Sequence, residues 1–311
     1  MRNLLWIVGL ALTLPLLAQE NQIEIGTFNI EWFPCKDDGK LLKSYGIDLR
    51  YPPQGESTDI EALFHLLDSL DIELLGVQEI VDGPLFAQKA QHYLGDHYRF
   101  IYSKSGGSQK VGFLYDSTRL TLKGESRTYL SVALGEDSRL RPAFSAFFQY
   151  KKNGFDFHAL VTHLKAMPSG RDIREKQWKA IKTILTDIQK DNEKDIILLG
   201  DFNNVSPIRE QEFLPLMDQL NYYWATGELE TKGSNYWQPD YKVERVQSSL
   251  IDHIFISDDA KVEYVDNSLK VGGMCATGAE EFKGDAIPDY FHTISDHCPV
   301  FATFRADVDN D

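Results

Sequence analysis

A short apolar run ends in polar groups in the stretch Ile196-Ile-Leu-Leu-Gly-Asp201-Phe-Asn203. Branched apolar residues followed by glycine and polar side chains are typical of a buried strand and the turn after it. Two further stretches have the same form: Glu73-Leu-Leu-Gly-Val-Gln-Glu79 ends in a carboxylate, and Ala159-Leu-Val-Thr-His163 ends in an imidazole. The sequence therefore predicts strands that carry polar side chains at their ends.

Three other stretches place polar residues at the ends or starts of strands. Asn29 and Glu31 close the first predicted strand, whereas Asp252 and the trio Ser295-Asp296-His297 stand before or at the start of later strands. In an antiparallel pair, the end of one strand lies beside the start of the next. We therefore expect all these side chains to meet at one edge of an apolar scaffold.

The fold class follows from the abundance of strands. The two clear helical stripes run from Ile60 to Leu70 and from Trp178 to Ile188. The predicted strands are 23–28, 73–77, 99–102, 111–115, 143–150, 155–161, 195–199, 250–256 and 300–304. This pattern predicts stacked, largely antiparallel sheets with helices outside. No linker or composition break divides the chain, so residues 19–311 are predicted to form one domain.

The N-terminus has the order of a secretory signal peptide. Arg2 precedes an apolar run from Leu4 to Leu17, and Ala18 stands before a polar stretch. This run is short for a membrane span. A retained signal anchor is the alternative, because the residues before the cleavage point read Leu16-Leu17-Ala18. We expect residues 1–18 to be removed and the mature protein to be secreted or periplasmic, without stable membrane association.

The chain is strongly acidic. It holds 32 Lys and Arg against 47 Asp and Glu, a formal net charge of −15. Such a protein repels polyanions at long range, which argues against a repressor or an architectural DNA-binding protein. A nucleic-acid substrate would have to be held by local cations and metal ions.

The cysteine count predicts one disulfide and one free thiol in an exported protein. The three cysteines are Cys35, Cys275 and Cys298. They form no Cys-x-x-Cys pattern, so a zinc site is not expected. Cys35 and Cys275 lie in the two long segments 34–55 and 271–292, and the pairings Cys35–Cys275 and Cys275–Cys298 are both open.

Taken in order, the polar motifs resemble those of the endonuclease/exonuclease/phosphatase superfamily, whose members share the deoxyribonuclease I-like fold. The motifs are Asn29-Ile-Glu31, Gln78-Glu79, His163, Gly200-Asp-Phe-Asn203, Ile251-Asp252-His and Ser295-Asp-His297. Each is weak alone, but six in the family's order, from about residue 23 to residue 304, are specific. The resemblance implies a four-layer α/β sandwich, in which two packed sheets are flanked by helices and a metal site lies at one edge.

The resemblance also implies a set of metal ligands. Glu79 resembles the principal Mg²⁺ ligand, with Asn29, Glu31 and Asp296 nearby as direct or water-mediated ligands. Mg²⁺ prefers hard oxygen ligands and keeps several waters, so one or two carboxylates from rigid strand ends suffice. Mn²⁺ and Ca²⁺ are alternatives to Mg²⁺.

Five residues resemble the family's catalytic group. Asp201 and Asn203 resemble the pair that positions the attacking water and the phosphate. His297 resembles a catalytic histidine oriented by Asp252, and His163 a second histidine near the phosphate. An imidazole suits proton transfer, and a neighbouring carboxylate fixes its tautomer. Asp201 is the alternative general base, and the sequence leaves that choice open.

Cations near these motifs are candidates for phosphate binding. Arg141 resembles a phosphate-contacting arginine of the family, and Arg139 competes with it for that role. Lys165 follows His163 closely and is a second candidate. Arg171 and Arg174 either extend a local cationic funnel or decorate the first turn of a helix.

Several other residues are predicted to be structural. His253 should point to the opposite face of its strand from Asp252, because side chains alternate along a strand. The aromatic stretches Tyr222-Tyr-Trp224 and Tyr236-Trp237 are able to stack a base or a sugar, but core or loop packing is the favoured interpretation.

Together these observations predict a secreted, metal-dependent nuclease that is a monomer and cuts DNA with little sequence preference. The alternatives within the same superfamily are a phosphomonoesterase and a sphingomyelinase-like phosphodiesterase of lipid head groups. A non-catalytic binding protein on the same scaffold is a third class, but such a protein would be expected to have lost part of the acid, histidine and amide set.

Overall fold

A computed structural model describes residues 21–136, 138–151, 154–190, 194–204, 213–229, 233–240 and 242–309. The predicted signal peptide, residues 1–18, lies outside the described residues, so its removal stays a prediction. None of the helices in the described ranges has both the length and the hydrophobicity that a membrane span requires.

The first large sheet has six strands and contains the N-terminal strand near its centre. In spatial order they are β13 (Lys270–Val271), β15 (Val300–Arg305), β1 (Gln22–Phe33), β2 (Leu74–Ile80), β4 (Lys110–Asp116) and β3 (Tyr98–Tyr102). β1 and β2 are parallel, and every other neighbouring pair is antiparallel.

The second large sheet repeats this arrangement. Its six strands, in spatial order, are β5 (Leu120–Tyr129), β6 (Ala143–Tyr150), β7 (Asp156–His163), β8 (Ile196–Asp201), β12 (Asp252–Ser257) and β9 (Tyr222–Trp224). β7 and β8 are parallel and the remaining neighbours are antiparallel. Each large sheet is therefore mostly antiparallel around one parallel pair.

A third, antiparallel sheet lies beside the carboxylate-rich edge of the other two. It comprises β10 (Asn235–Trp237), β11 (Arg245–Ser249) and β14 (Glu281–Lys283). The backbone of Asn235 bridges to His297, and Tyr236 N donates to Asp296 O. This small sheet thus buttresses the segment that carries the last sequence motif.

The described residues form six α-helices, four of which cover the outer faces of the two large sheets. The six are α1 (Gly39–Ser44), α2 (Ile60–Leu70), α3 (Gly83–Leu94), α4 (Arg171–Ile188), α5 (Leu214–Gln219) and α6 (Asp289–Thr293). The apolar faces of α2 and α3 pack on the first sheet around Phe64 and Phe86, and those of α4 and α5 pack on the second around Trp178 and Phe202. Burial of these apolar stripes is what holds the helices in place.

The main core lies between the two large sheets. It includes Phe113 from one sheet and Phe148 and Leu199 from the other. The sheets approach closely at Gly76, where an added Cβ would lie 2.1 Å from Leu199 Cδ1. With helices outside, the molecule is a four-layer α/β sandwich of the deoxyribonuclease I-like kind, which confirms the fold class predicted above.

All nine strands predicted from the apolar runs are present, as are both helices predicted from their stripes. The apolar runs do not predict six observed strands, which are β5, β9, β10, β11, β13 and β14. β5 is an exposed edge strand with mostly polar residues, and the other five are only two to five residues long. The disulfide joins Cys275 and Cys298, one of the two pairings left open, and Cys35 is a buried free thiol.

The register of the strands, as well as their antiparallel pairing, brings the polar side chains to one edge of each large sheet. In the second sheet, His163 pairs with Asp201 across the parallel strands, and Asp201 pairs with Asp252 across the antiparallel ones. In the first sheet, the parallel pairing of β1 and β2 brings Asn29 beside Gln78. The expectation from antiparallel neighbours alone was therefore incomplete, because each sheet uses its one parallel pair to align two strand ends at this edge.

Candidate active site

The amide of Asn29 lies at the centre of the polar cluster. Its Nδ2 atom is 3.2 Å from Glu79 Oε1, 3.0 Å from Asp201 Oδ2 and 3.5 Å from His297 Nε2. The Asn29 side chain is buried, so these contacts form away from bulk water. Side chains from residues 29, 79, 201 and 297 thus meet in one pocket, although they come from opposite ends of the chain and from both sheets.

Glu79 is presented by an irregularity at the end of β2. The register between β1 and β2 shifts beyond Asn29, and Glu79 has a φ of 62°, in the left-handed region that a non-glycine residue rarely occupies. Its Oε2 atom accepts hydrogen bonds from Trp32 N and from Gln109 Nε2. Such strained positions persist only where their surroundings hold them, and they cluster at functional sites.

His297 and Asp252 form a buried carboxylate–imidazole pair. His297 Nδ1 lies 2.8 Å from Asp252 Oδ2, and the Ser234 hydroxyl donates to the same oxygen at 2.7 Å. Burial lowers the pKa of His297, but the carboxylates of Asp252 and Asp296 raise it by more, so that it lies well above its ordinary value. At neutral pH this histidine is therefore a cation whose Nε2 carries a proton towards the pocket.

Asp201 and Asn203 form a second unit at the end of β8. Asp201 Oδ1 accepts from Asn203 N at 2.8 Å, and Oδ2 accepts from Asn203 Nδ2 at 2.9 Å. Asn203 has a φ of 51°, a conformation that asparagine tolerates better than most residues. Burial raises the pKa of Asp201 to about 7, with the charge of His297 opposing and that of Asp252 adding to the shift.

His163 lies on the other side of Asp201. Its Nε2 is 3.3 Å from Asp201 Oδ2 and 3.6 Å from Glu79 Oε1. Burial, followed by the charges of Arg141 and His297, lowers its pKa well below the ordinary value. His163 is therefore neutral at physiological pH, and the site contains one charged and one neutral imidazole.

Glu31 and Asp296 form the outer part of the cluster. Asp296 N donates to Glu31 Oε2 at 2.9 Å, and Lys36 Nζ lies 2.7 Å from the same oxygen. Burial raises the pKa of Glu31 to about 8, and it also raises the pKa of Asp296. Asp296 keeps 31% of its side-chain surface exposed, so it faces the mouth of the pocket.

The donor set fits a hard divalent cation. Four carboxylates, those of Glu31, Glu79, Asp201 and Asp296, have a raised pKa, and burial is the largest cause for each. Buried like charges of this kind are relieved by a bound cation, and carboxylate oxygens are the ligands that Mg²⁺ prefers. Ligand atoms of Asp201, Asp252 and His297 also lie within 4.8 Å of one another. His297 Nδ1 is paired with Asp252, so we favour the oxygens around Glu79 as the metal-binding group.

Of the predicted phosphate-binding cations, Arg141 reaches the cluster. It donates to Leu164 O at 2.8 Å, its Nε atom has no hydrogen-bond partner among the described residues, and its charge acts on Glu79 and Asp201. Arg139 is exposed. Lys165 is half-buried, and its charge acts on His163.

The other two basic residues of that segment have structural contacts. Arg174 is buried and donates to Lys165 O and Met167 O, so it holds the loop after β7. Arg171 is exposed and pairs with Glu175 on the surface of α4. The helix-surface interpretation therefore fits Arg171, and Arg174 supports the loop that carries Lys165.

The residues predicted to be structural are found in packing roles, with one exception. His253 is buried against Phe202 and Phe213 and accepts a hydrogen bond from Trp224 Nε1, on the face opposite to Asp252. Tyr222 and Tyr236 are buried as well. Trp237 is the exception, because 48% of its surface is exposed.

Three residues of the cluster carried no usable signal in the sequence. Ser234 supports Asp252, Gln109 supports Glu79, and Lys36 pairs with Glu31. Each lies in a loop outside the recognised motifs, and an isolated serine, glutamine or lysine is ordinarily a surface residue. Their burial, together with a partner in a motif, is visible only in three dimensions.

Comparisons with known proteins identify the family of this chain. The chain matches the model of the Endonuclease/Exonuclease/phosphatase family over residues 26–297. It therefore belongs to that family, as the order of its motifs predicts. A comparison with curated protein sequences gave no match.

Solved structures with the same fold include proteins of D. rerio and of Bacteroides species. One is D. rerio TDP2 complexed with a single strand DNA product (16% identity, TM-score 0.60, covering 91% of this chain and 98% of that one). Another is an endonuclease/exonuclease/phosphatase from Bacteroides vulgatus (16%, TM-score 0.59, 91% and 98%). A third is a mannosyl-6-phosphatase from Bacteroides thetaiotaomicron (14%, TM-score 0.56, 90% and 98%). At these identities the likeness establishes the fold alone.

Proposed function

We propose that this protein is an exported, metal-dependent phosphodiesterase that hydrolyses DNA with little sequence preference. The observation that carries the proposal is the meeting of Glu79, Asp201 and His297 around the Asn29 amide, with His163 beside them. Phosphoester hydrolysis needs an activated water, neutralisation of charge on the phosphoryl oxygens and a proton for the leaving group. This pocket offers a group for each requirement.

A divalent cation at Glu79 would supply Lewis-acid stabilisation of the phosphoryl charge. Asn29 orients the Glu79 carboxylate through its hydrogen bond to Oε1, and Trp32 N fixes the other oxygen. Arg141 brings a fixed positive charge to the same side of the pocket. Together these groups hold the carboxylate in one orientation and balance part of the phosphate charge.

Proton transfer divides between Asp201 and His297. The pKa of Asp201 is near 7, so its carboxylate is able to accept a proton from water while Asn203 holds it in place. His297 has a raised pKa and is a cation, so it is able to donate from Nε2 to a phosphoryl or leaving-group oxygen. Asp252 stabilises that cation and fixes the tautomer. Of the two general bases that the sequence left open, these environments favour Asp201.

DNA is the proposed substrate because two local cations, Arg141 and Lys165, flank the pocket and because the fold is shared with a TDP2 structure that contains DNA. The net charge of −15 limits long-range attraction to a polyanion. We therefore expect weak, salt-sensitive binding that depends on contacts at the cleavage site itself.

The same net charge favours a second candidate, a phosphomonoesterase that hydrolyses the phosphate ester of a small, uncharged alcohol. Such a substrate does not need an extended basic surface, and the fold is shared with a mannosyl-6-phosphatase. Export is proposed for either activity from Arg2, the apolar run 4–17 and Ala18.

A substrate panel separates the two candidates. Supercoiled plasmid, single-stranded DNA, RNA, sphingomyelin and a sugar phosphate are incubated with the protein and Mg²⁺, with and without a chelator. Nicked plasmid and oligonucleotide products support the nuclease, whereas release of inorganic phosphate from the sugar phosphate alone supports the phosphomonoesterase. A Glu79→Gln variant purified in parallel must lack the activity, since otherwise a contaminating enzyme is responsible.

A further inference from the structure

A lysine is buried inside the acidic cluster. Lys36 has 1% of its side chain exposed, and its Nζ atom lies 2.7 Å from Glu31 Oε2 and 3.4 Å from Asp37 Oδ2. Lysine is almost never fully buried unless it is paired, because removing an ammonium group from water is costly. The position of Lys36 therefore depends on the carboxylates around it.

The backbone takes an unusual path to bring Lys36 back to Glu31. Glu31, Trp32 and Lys36 have φ values of 33°, 57° and 30°. Three non-glycine residues in the left-handed region within six positions are rare, and each is unfavourable. The fold tolerates this conformation at the place where the ammonium group meets the carboxylate.

The pairing divides the carboxylates into two groups. Glu31 Oε2 accepts both from Lys36 Nζ and from Asp296 N. Glu79 instead has no ion pair with a lysine or arginine in the part of the chain that the structure describes, and its hydrogen bonds come from Asn29, Gln109 and a backbone amide. A cation is thus in direct contact with the carboxylate on the Glu31 side, whereas on the Glu79 side the charge of Arg141 acts without an ion pair.

We propose that Lys36 is a resident counter-ion that stands in for a second metal, so that the site takes one divalent cation, on the Glu79 side. Glu31 is then an anchor for Lys36 and for the Asp296 backbone, and it is not a direct metal ligand. An ammonium group is a compact point charge, and a divalent ion placed at the same carboxylate would be repelled by it. This inference rests on the metal dependence proposed above.

Counting bound Mn²⁺ on the full chain without substrate tests the inference. The electron paramagnetic resonance signal of free Mn²⁺ falls as the ion binds, and we expect one equivalent per chain for the wild type. The Lys36→Met variant should bind a second equivalent or bind one ion at least ~10-fold more tightly, because an uncompensated carboxylate becomes available. The exposed Lys43→Met variant is the matched control and should behave as the wild type.

A charge-neutral double variant shows whether a change in metal binding by Lys36→Met results from the lost charge or from misfolding. Lys36→Met/Glu31→Gln removes both partners, and we expect one equivalent of Mn²⁺ with a Kd that differs from the wild-type value by less than the roughly 10-fold caused by loss of a group that supports a metal ligand. Circular dichroism melting reports whether each variant is folded.

Several results would overturn the inference. Two equivalents in the wild type, unchanged or weaker binding by Lys36→Met, or loss of binding by the double variant would each do so. A wild type that binds no Mn²⁺ would overturn the proposed metal dependence as well. Because none of these measurements involves turnover, failure to find a substrate leaves the test intact.

Discussion

The Nε2 atoms of His163 and His297 lie 3.3 Å and 3.8 Å from the same oxygen, Asp201 Oδ2, but the pKa values of the two imidazoles are shifted in opposite directions. The difference arises because Asp252 hydrogen-bonds the far nitrogen of His297, whereas Nδ1 of His163 has no hydrogen-bond partner among the described residues. Titratable groups whose environments separate their pKa values are a common basis for acid and base roles. The pair therefore provides a proton donor and a neutral polar group on either side of one carboxylate.

Replacing Asp252 by asparagine should lower both the pKa of His297 and the catalytic rate. The Asp252 carboxylate raises this pKa through both its charge and its hydrogen bond, so its loss leaves only Asp296 and Asp201 to oppose burial and moves the pKa downward. We expect kcat to fall by roughly 10²–10⁴-fold, the usual contribution of a positioned proton donor. Histidine ring signals in NMR spectra recorded across pH measure the shift directly.

The Asp240→Asn variant is the control, since it removes one negative charge from an exposed side chain. If Asp252→Asn leaves the titration of His297 unchanged, then the carboxylate does not set the charge of this histidine. Rate loss without a change in pKa would assign Asp252 a packing role instead.

Gln109 should affect metal affinity more than the chemical step. It donates to Glu79 Oε2 and orients a candidate ligand without touching the inner pocket. Groups that support a metal ligand typically contribute about 10–100-fold to affinity. In Gln109→Leu we therefore expect the Mg²⁺ concentration for half-maximal activity to rise by roughly 10-fold, with kcat at saturating Mg²⁺ nearly unchanged. The exposed Gln91→Leu variant should match the wild type, and an equal fall of kcat at all Mg²⁺ concentrations would contradict this role.

The sequence predicts the location of the site from the polar residues at the ends of strands. This prediction depends only on local sequence patterns. Asp201, His163 and Glu79 each follow a buried apolar run. The geometry of the strand and of the turn after it therefore places them at the sheet edge, independently of packing elsewhere in the fold. The disulfide and the partners Ser234, Gln109 and Lys36 depend on how loops distant in sequence pack together. Local patterns contain no information on that packing. For this reason the contacts that support the motif residues were not predicted.

The disulfide should stabilise the fold by holding the segment after His297. Cys298 follows His297 directly, and its bond to Cys275 closes a loop with a sequence separation of 23 residues. The chain-entropy estimate for a loop of this length is about 3 kcal/mol. Urea unfolding with and without dithiothreitol should show a loss of about 2–4 kcal/mol in the free energy of unfolding. A Cys275→Ala/Cys298→Ala variant should start from the lower value and be insensitive to the reductant. Equal stability of oxidised and reduced wild type would rule out this contribution.

His253 should make the folded state sensitive to acid. Burial among aromatic rings lowers its pKa to about 3, against 6.5 for the ordinary group. Between these two values the unfolded chain binds a proton that the folded chain does not, so the free energy of unfolding falls as pH drops from 6.5 towards 3. Above this window His253 is neutral in both states and has no effect on the pH dependence.

Within that window the free energy of unfolding should fall by about 1 kcal/mol for each pH unit of acidification. Other carboxylates titrate in the same range, so the comparison must be made with His253→Gln, whose side-chain oxygen is able to accept the Trp224 Nε1–H. Urea unfolding at pH 7, 6, 5 and 4.5 should give wild-type and variant curves that differ by a constant at high pH and converge, or cross, on acidification. A constant difference across the whole series would mean that the folded state accommodates a protonated His253, in conflict with an imidazole enclosed by Phe202, Phe213 and Trp224.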